Sequence, residues 1–150
     1  MSEAAGTSEH FIVVGVDGSE PSLAALKWAA RQARLTGAEL WAVTSWEIST
    51  TSGWAPTFPT DYDPQAIAKE VLDRAILDTL GPSPDIPLHR LVEEGHAAPV
   101  LLKTANGADL LVVGSHGHGA FAGMLLGSVS AHVAGHAPCA VVVVHCEGTH

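Results

Sequence analysis

The sequence predicts a single α/β domain built on an open five-stranded parallel sheet with helices on both faces. Five short segments with the composition of strands occur along the 150 residues, and each is separated from the next by a segment with helical periodicity. Most of these strands are continuous apolar runs, which is typical of parallel strands that are buried on both faces. Regular alternation of this kind predicts right-handed crossovers and the order β-α-β-α-β-α-β-α-β.

The first half of the chain supplies two strands and one helix of this pattern. Residues 11–16 are apolar throughout and predict a central strand. The strand ends at the turn 17–19, whose serine is placed to cap a helix with Pro21 in its first turn. Leucines and alanines then recur at helical spacing up to Gly37, a natural helix stop. Residues 40–46 predict the second strand.

The middle of the chain contains its least regular stretch. Residues 47–63 are rich in Pro, Ser, Thr and Gly, so no regular element is expected there. The aromatic residues Trp54, Phe58 and Tyr62 either pack on the body of the domain or form a flap over the binding crevice. Residues 64–80 predict the second helix.

The second half completes the alternation. Residues 88–94 have mixed polarity and predict a short third strand at or near a sheet edge. A third helix ends at Asn106 and Gly107, and residues 110–113 predict a buried fourth strand. The last helix is expected from residue 128 to about 135, and the fifth strand over residues 140–145.

Composition restricts the class of protein and its partners. Apolar residues make up 47% and charged residues 15% of the chain, as in globular proteins. We expect a flexible tail over residues 1–9 and the domain over residues 10–150. The net charge of −9 argues against a nucleic-acid partner and against an anionic membrane surface. No apolar run approaches the roughly 18 residues of a membrane span, and the N-terminus lacks the pattern of a signal peptide.

The two cysteines bear on the cellular compartment. Cys139 and Cys146 are seven residues apart in the region of the last strand, which puts them on opposite faces of an extended segment. A disulfide between them is therefore not expected. Reduced thiols predict a reducing compartment, and we expect a cytoplasmic protein.

The chain is organised around residues 109–130, DLLVVGSHGHGAFAGMLLGSVS. A buried strand leads into a glycine-rich loop, and Ser128 is placed to cap the helix that follows. Such an arrangement presents backbone N–H groups and the positive end of a helix to a phosphate. The spacing is neither G-x-G-x-x-G nor that of a P-loop, because no Lys follows the last glycine.

The glycine spacing is G-x2-G-x9-G-[ST], formed by Gly114, Gly117, Gly127 and Ser128. In this motif the chain resembles the ATP-binding branch of the universal stress protein family. FIVVGVDGS at residues 11–19 and APCAVVVV at residues 137–144 look like the first and last strands of that family. The resemblance covers nearly the whole chain and implies the strand order 3-2-1-4-5.

The resemblance also implies a ligand and its contacts. The ligand is ATP or a related adenine nucleotide, accompanied by Mg²⁺ that phosphate oxygens and water largely hold. Ligands of such sheets bind at the carboxyl ends of the strands, where the strand order reverses. Around the adenine the resemblance places Val16, Asp17 and Ser45. Around the ribose and phosphates it places Gly114, Gly117, Gly127, Ser128 and Val129.

Other residues near this loop are further candidates. His116 or His118 is a candidate hydrogen-bond donor to phosphate with a charge that responds to pH, and Ser130 belongs to the same helix start. Asp17, which precedes a glycine, also fits the role of closing a turn. The sequence departs from the family at the adenine wall, because Thr44 and Ser45 are polar where members often carry a His and a branched apolar residue.

Neither a metal site nor a catalytic residue is expected. The nine histidines include two close pairs, 116 with 118 and 132 with 136, but neither pair has the Cys or carboxylate neighbours of a zinc site. The serines at 19, 128 and 130 lack the spacing of a catalytic triad or a nucleophile elbow. The glycine loop carries no Lys or Arg to clamp a transferring phosphoryl group.

The predicted function is therefore a regulatory, stress-response protein that binds ATP and hydrolyses it slowly at most. Two alternatives stay open: an enzyme of the same layout that uses ATP to adenylate a substrate, and a dimeric interaction module without nucleotide binding. A homodimer is expected through the fifth strand, which is apolar on both faces and would lie at a sheet edge. Family members use this strand for dimerisation, and here it comprises Val141, Val142, Val143 and Val144.

Overall fold

The computed structural model describes residues 9–48, 63–116 and 126–146, and in them five strands alternate with four helices. In chain order the elements are β1 (Phe11–Gly15), α1 (Glu20–Thr36), β2 (Glu39–Trp46), α2 (Pro64–Leu80), β3 (Leu88–Glu94), α3 (Ala97–Thr104), β4 (Leu110–Gly114), α4 (Ser128–His136) and β5 (Ala140–Val144). All strand pairs are parallel, and the sheet has the order β3-β2-β1-β4-β5. The predicted α/β fold class and the order 3-2-1-4-5 are confirmed.

The helices cover both faces of the sheet. One face is buried under α1 and α2, around Leu26, Leu40 and Leu72. The other is buried under α3 and α4, where Leu111 and Val133 belong to the second core cluster. The central strands β1 and β4 contribute to both clusters, which explains why their sequences are continuous apolar runs.

The two edge strands differ in character. β3 has the predicted bounds, and its side chains are half-buried or exposed, which agrees with the expected edge position. β5 lies at the opposite edge, ends at Val144 rather than at His145, and presents half-buried valines. An edge strand leaves one row of backbone N–H and C=O groups without a neighbour in the sheet.

Local chemistry explains where the helices begin. α2 begins after Asp63, whose carboxylate accepts hydrogen bonds from the N–H groups of Gln65 (3.1 Å) and Ala66 (3.2 Å). Ser19 occupies the predicted cap position of α1, but its side chain makes no capping hydrogen bond. Its hydroxyl instead donates to Asp17, so the expectation of a serine cap is corrected.

Several sequence predictions fall outside the part of the chain that the structure describes. These are most of the tail over residues 1–9, most of the irregular stretch 47–63 with its aromatic residues, and Gly117 and His118 in the glycine loop. In the described residues, no helix is both long enough and apolar enough to cross a membrane.

Candidate functional site

The strand order reverses between β1 and β4, which makes their carboxyl ends the candidate site. From β1 the chain crosses to β2 on one side, whereas β4 pairs with β1 on the other side. Val14 lies opposite Val112 in this pairing, so the residues that follow them flank one crevice. Open α/β sheets bind ligands at such a reversal.

The turn after β1 is held by its own side chains. The carboxylate of Asp17 accepts hydrogen bonds from the backbone N–H (2.9 Å) and the hydroxyl (2.5 Å) of Ser19. The hydroxyl of Ser22 accepts from the N–H of Asp17 (3.2 Å) and donates to the carbonyl of Ser19 (3.0 Å). Gly18 supplies the positive φ, 84°, that the turn requires. Asp17 therefore closes the turn, as one of the two sequence interpretations proposed, and remains exposed at the crevice.

The residues predicted around the adenine lie at the ends of β1 and β2. Val16 is buried, its N–H donates to the carbonyl of Val43 (2.8 Å), and its own carbonyl accepts from the hydroxyl of Thr44 (2.9 Å). The buried polar group of Thr44 is thus satisfied within the sheet. Ser45 is half-buried and, as the next residue of the strand, points to the opposite face.

Gly114 ends β4 directly beneath the first turn of α1. A Cβ atom at this position would lie 2.6 Å from the carbonyl carbon of Pro21, 2.7 Å from its Cβ and 2.8 Å from the nitrogen of Ser22. The absence of a side chain is therefore needed for α1 to pack against β4, whether or not a ligand is present. His116 follows two residues later and is half-buried.

The start of α4 is tied to the end of β4. Gly127 is the N-cap residue, and its N–H donates to the carbonyl of Ser115 (2.7 Å). The expectation that Ser128 caps the helix is wrong, because Ser128 is the first helical residue and is exposed. The first N–H groups of a helix have no partner within it, so those of Ser128, Val129 and Ser130 are the donors that this helix start offers.

Two serines of this region were missed by the sequence analysis. Ser115 is 2% exposed, its N–H donates to Val144 (2.8 Å), and its carbonyl also accepts from the hydroxyl of Ser130 (2.6 Å). Ser115 therefore joins β4, β5 and α4, while Ser22 organises the turn after β1. The only signal in the sequence was a small polar residue next to a strand end or in a first helical turn.

The distribution of Lys and Arg in the sequence determines the charge of the loops at the carboxyl edge of the sheet. None of the segments that leave the carboxyl ends of the strands contains a Lys or Arg, because the seven basic residues are Lys27, Arg31, Arg34, Lys69, Arg74, Arg90 and Lys103. Exposed acidic residues at this edge include Asp17, Glu20 and Glu47, the last paired with His96 (3.0 Å). A phosphate here would be stabilised by backbone N–H groups and the dipole of α4.

Both cysteines are free in the structure. Burial raises the pKa of the Cys139 thiol, and the nearby charge of Asp109 raises it further. Burial also raises the pKa of the Cys146 thiol, with a smaller contribution from the charge of Glu20. Both thiols are therefore protonated at neutral pH and are weak nucleophiles.

The described residues fit a nucleotide better than a metal held by protein alone. Backbone N–H groups and the exposed hydroxyl of Ser128 suit phosphate oxygens. Within residues 9–48, 63–116 and 126–146, no group of three or more His, Cys, Asp or Glu is placed to hold a metal ion. An Mg²⁺ at this edge would take most of its ligands from phosphate oxygens and water.

Comparison with known proteins identifies a family and its fold. The model of the universal stress protein family matches residues 10–145. A universal stress protein of Mycolicibacterium smegmatis is 37% identical over 142 residues, which are 95% of this chain and 48% of that protein. The chain spans about half the length of the curated relatives it matches.

Two solved structures extend the comparison to ligands. A universal stress protein in complex with cAMP is 32% identical with a TM-score of 0.62, and the match covers 91% of this chain and 96% of that one. The universal stress protein of Archaeoglobus fulgidus in complex with dAMP is 25% identical with a TM-score of 0.62, covering 90% and 97%. Both ligands are adenine nucleotides.

Proposed function

The chain belongs to the universal stress protein family, and we propose that it binds an adenine nucleotide, ATP in particular, as a regulatory protein of the stress response. The observation that carries this proposal is the start of α4, which is fixed at the end of β4 across from the Asp17 turn. The similarity to proteins solved with cAMP and dAMP supports the adenine part of the ligand.

The crevice divides into a base side and a phosphate side in this proposal. Val16, Asp17 and Ser45 surround the adenine at the ends of β1 and β2. The N–H groups of Ser128, Val129 and Ser130 meet the phosphates. Gly127 contributes through its small size, because its own N–H is bonded to Ser115.

The absence of Lys and Arg from the segments at the carboxyl edge of the sheet favours a regulatory role over an enzymatic one. Efficient phosphoryl transfer uses a Lys or Arg clamp and a positioned base. Here the segments at the carboxyl edge contain no Lys or Arg. An adenylating enzyme and an interaction module without nucleotide are the alternatives. The two cysteines are free, which fits the reducing compartment that we propose, the cytoplasm.

Ligand-induced stabilisation tests the proposal directly. Thermal unfolding is measured with ATP and Mg²⁺, with AMP, with cAMP and with GTP as a base control. A nucleotide at about 100 times its dissociation constant should stabilise the folded state by about 2.7 kcal/mol. No stabilisation by any adenine nucleotide would favour the interaction module. Mass spectrometry of protein purified without added ligand shows which nucleotide, if any, is retained.

Turnover of ATP is expected to be very slow. Without a basic clamp, the outer phosphate of bound ATP lacks the charge stabilisation that its transfer requires. Release of phosphate, measured with Mg²⁺ and with EDTA, should stay far below the ~10 per second that is typical of enzymes. Turnover near that value would instead support an ATPase or an adenylating enzyme.

We also propose that two copies pair through the edge strand β5. Its half-buried valines and its position at the edge of the described sheet suit association with a second copy. Val142→Lys should give a monomer in sedimentation velocity at micromolar concentration, where the wild type sediments as a dimer. Leu35→Lys, at a site 73% exposed near the end of α1, is the matched control and should remain a dimer. A monomeric wild type would exclude this interface.

A further inference from the structure

Glu20 lies at the phosphate side of the crevice although it belongs to a helix on the other face of the sheet. It is the first residue of α1 and is exposed. The next two residues, Pro21 and Ser22, are the ones that a Cβ on Gly114 would contact at 2.6–2.8 Å. The start of α1 is therefore pressed against the carboxyl end of β4, from which the glycine loop departs.

The charge of Glu20 also reaches the end of β5. Its carboxylate contributes to the raised pKa of Cys146, which follows that strand. α1 packs against both β4 and β5. The carbonyl of Val144 at the end of β5 accepts from Ser115, which also anchors the start of α4. Glu20 is thus placed on the side of the crevice that borders the carboxyl ends of β4 and β5.

Within residues 9–48, 63–116 and 126–146, no ion pair joins Glu20 to a basic side chain. Among the residues that the structure describes, Arg34, Lys69, Arg74 and Arg90 form ion pairs, and all of these are with other acids. Asp17, at the end of the neighbouring β1, is also exposed, with its carboxylate bonded to Ser19. The phosphates of a bound nucleotide would therefore face fixed negative charge on one side and the start of α4 on the other.

We propose that the charge of Glu20 determines which adenine nucleotides the crevice binds. The crevice binds monophosphates or a cation-bound triphosphate and disfavours metal-free ATP. This inference rests on the proposed function, since it concerns the same site. At low salt, each phosphate charge is repelled by Glu20, and the repulsion grows with the number of charges on the nucleotide. A triphosphate with its full charge is therefore penalised most, and Mg²⁺ removes much of the penalty.

The test compares Glu20→Gln with the wild type by titration calorimetry at low salt. Metal-free ATP in EDTA should bind about fivefold more tightly to the variant, whereas the affinity for AMP should change by no more than about twofold. In excess Mg²⁺, the affinities of the variant and the wild type for ATP should differ by no more than about twofold. In the wild type alone, added salt should reduce the preference for AMP over metal-free ATP, because salt screens the repulsion.

The matched control is Glu70→Gln, which removes the same charge from the exposed face of α2. This variant should bind AMP, metal-free ATP and ATP with Mg²⁺ as tightly as the wild type does. Thermal unfolding without ligand verifies that both variants are folded. If AMP binds the wild type but Glu20→Gln alters ATP and AMP equally, or not at all, the role of Glu20 is overturned while the proposed function stands. If no adenine nucleotide binds the wild type, both are overturned.

Discussion

Gly114→Ala is expected to lower the free energy of unfolding by about 1–3 kcal/mol, as overpacking typically does. The added Cβ would lie 2.6 Å from the backbone carbon of Pro21, and backbone atoms in a first helical turn cannot rotate away as a flexible side chain can. α1 would have to move off the sheet, and its own residues Leu26 and Ala29, which are fully buried, would lose packing. Urea unfolding without ligand measures the loss.

Gly135→Ala is the matched control. Gly135 lies near the end of α4, is exposed, and has nothing within 4 Å of an added Cβ. Alanine there should stabilise the fold by up to about 1 kcal/mol, since it favours the helix and restricts the unfolded chain. Equal stability of Gly114→Ala and the wild type would show that the start of α1 is not packed as closely as the structure has it.

The family motif and the structure thus give Gly114 different explanations. In the sequence it is one of four spaced positions that resemble a phosphate-binding motif. In the structure its small size is required by α1, a helix from the other end of the chain. The sequence could not reveal this reason, because the contact depends on how α1 crosses β4.

The polarity of a strand's sequence indicates how deeply that strand is buried, and part of the strand order could be predicted from it. Continuous apolar runs predicted that β1 is central and β4 is buried, and the mixed polarity of β3 predicted an edge position. Polarity alone did not place β5, which is equally apolar and yet lies at the opposite edge. The β1–β4 pairing itself came from the family resemblance, because many orders satisfy the same alternation. The structure agrees with that order.

Capping was less predictable, because short polar side chains have several competing backbone partners. Ser19 follows the pattern of a helix cap, yet its hydroxyl bonds to Asp17, two residues away. Ser128 follows the same pattern, yet the N-cap residue is Gly127, whose N–H is held by Ser115, and Ser128 is the first helical residue. Both outcomes depend on hydrogen bonds whose geometry cannot be predicted from the spacing of residues in the sequence.

The hydrogen bond between Gly127 and Ser115 determines which substitution best tests the proposed phosphate contacts. Gly127 is buried and bonded to Ser115, so a larger residue there would disturb the fold as well as the ligand. Ser128 is exposed and is the first helical residue rather than the N-cap. Its replacement by alanine therefore leaves the packing of α4 intact, and any change in affinity reports on the ligand.

Ser128→Ala is expected to weaken ATP binding roughly tenfold to a hundredfold, because one hydrogen bond to a charged phosphate contributes about 1.5–3 kcal/mol. Without ligand, the free energy of unfolding of this variant should equal that of the wild type or be slightly higher, because alanine has the higher helix propensity. Ser83→Ala, in the exposed segment before β3, is the control and should retain full affinity. Titration of each variant with ATP and Mg²⁺ decides the matter. If Ser128→Ala binds ATP as tightly as the wild type, the phosphates do not meet the side chain of Ser128 at the start of α4.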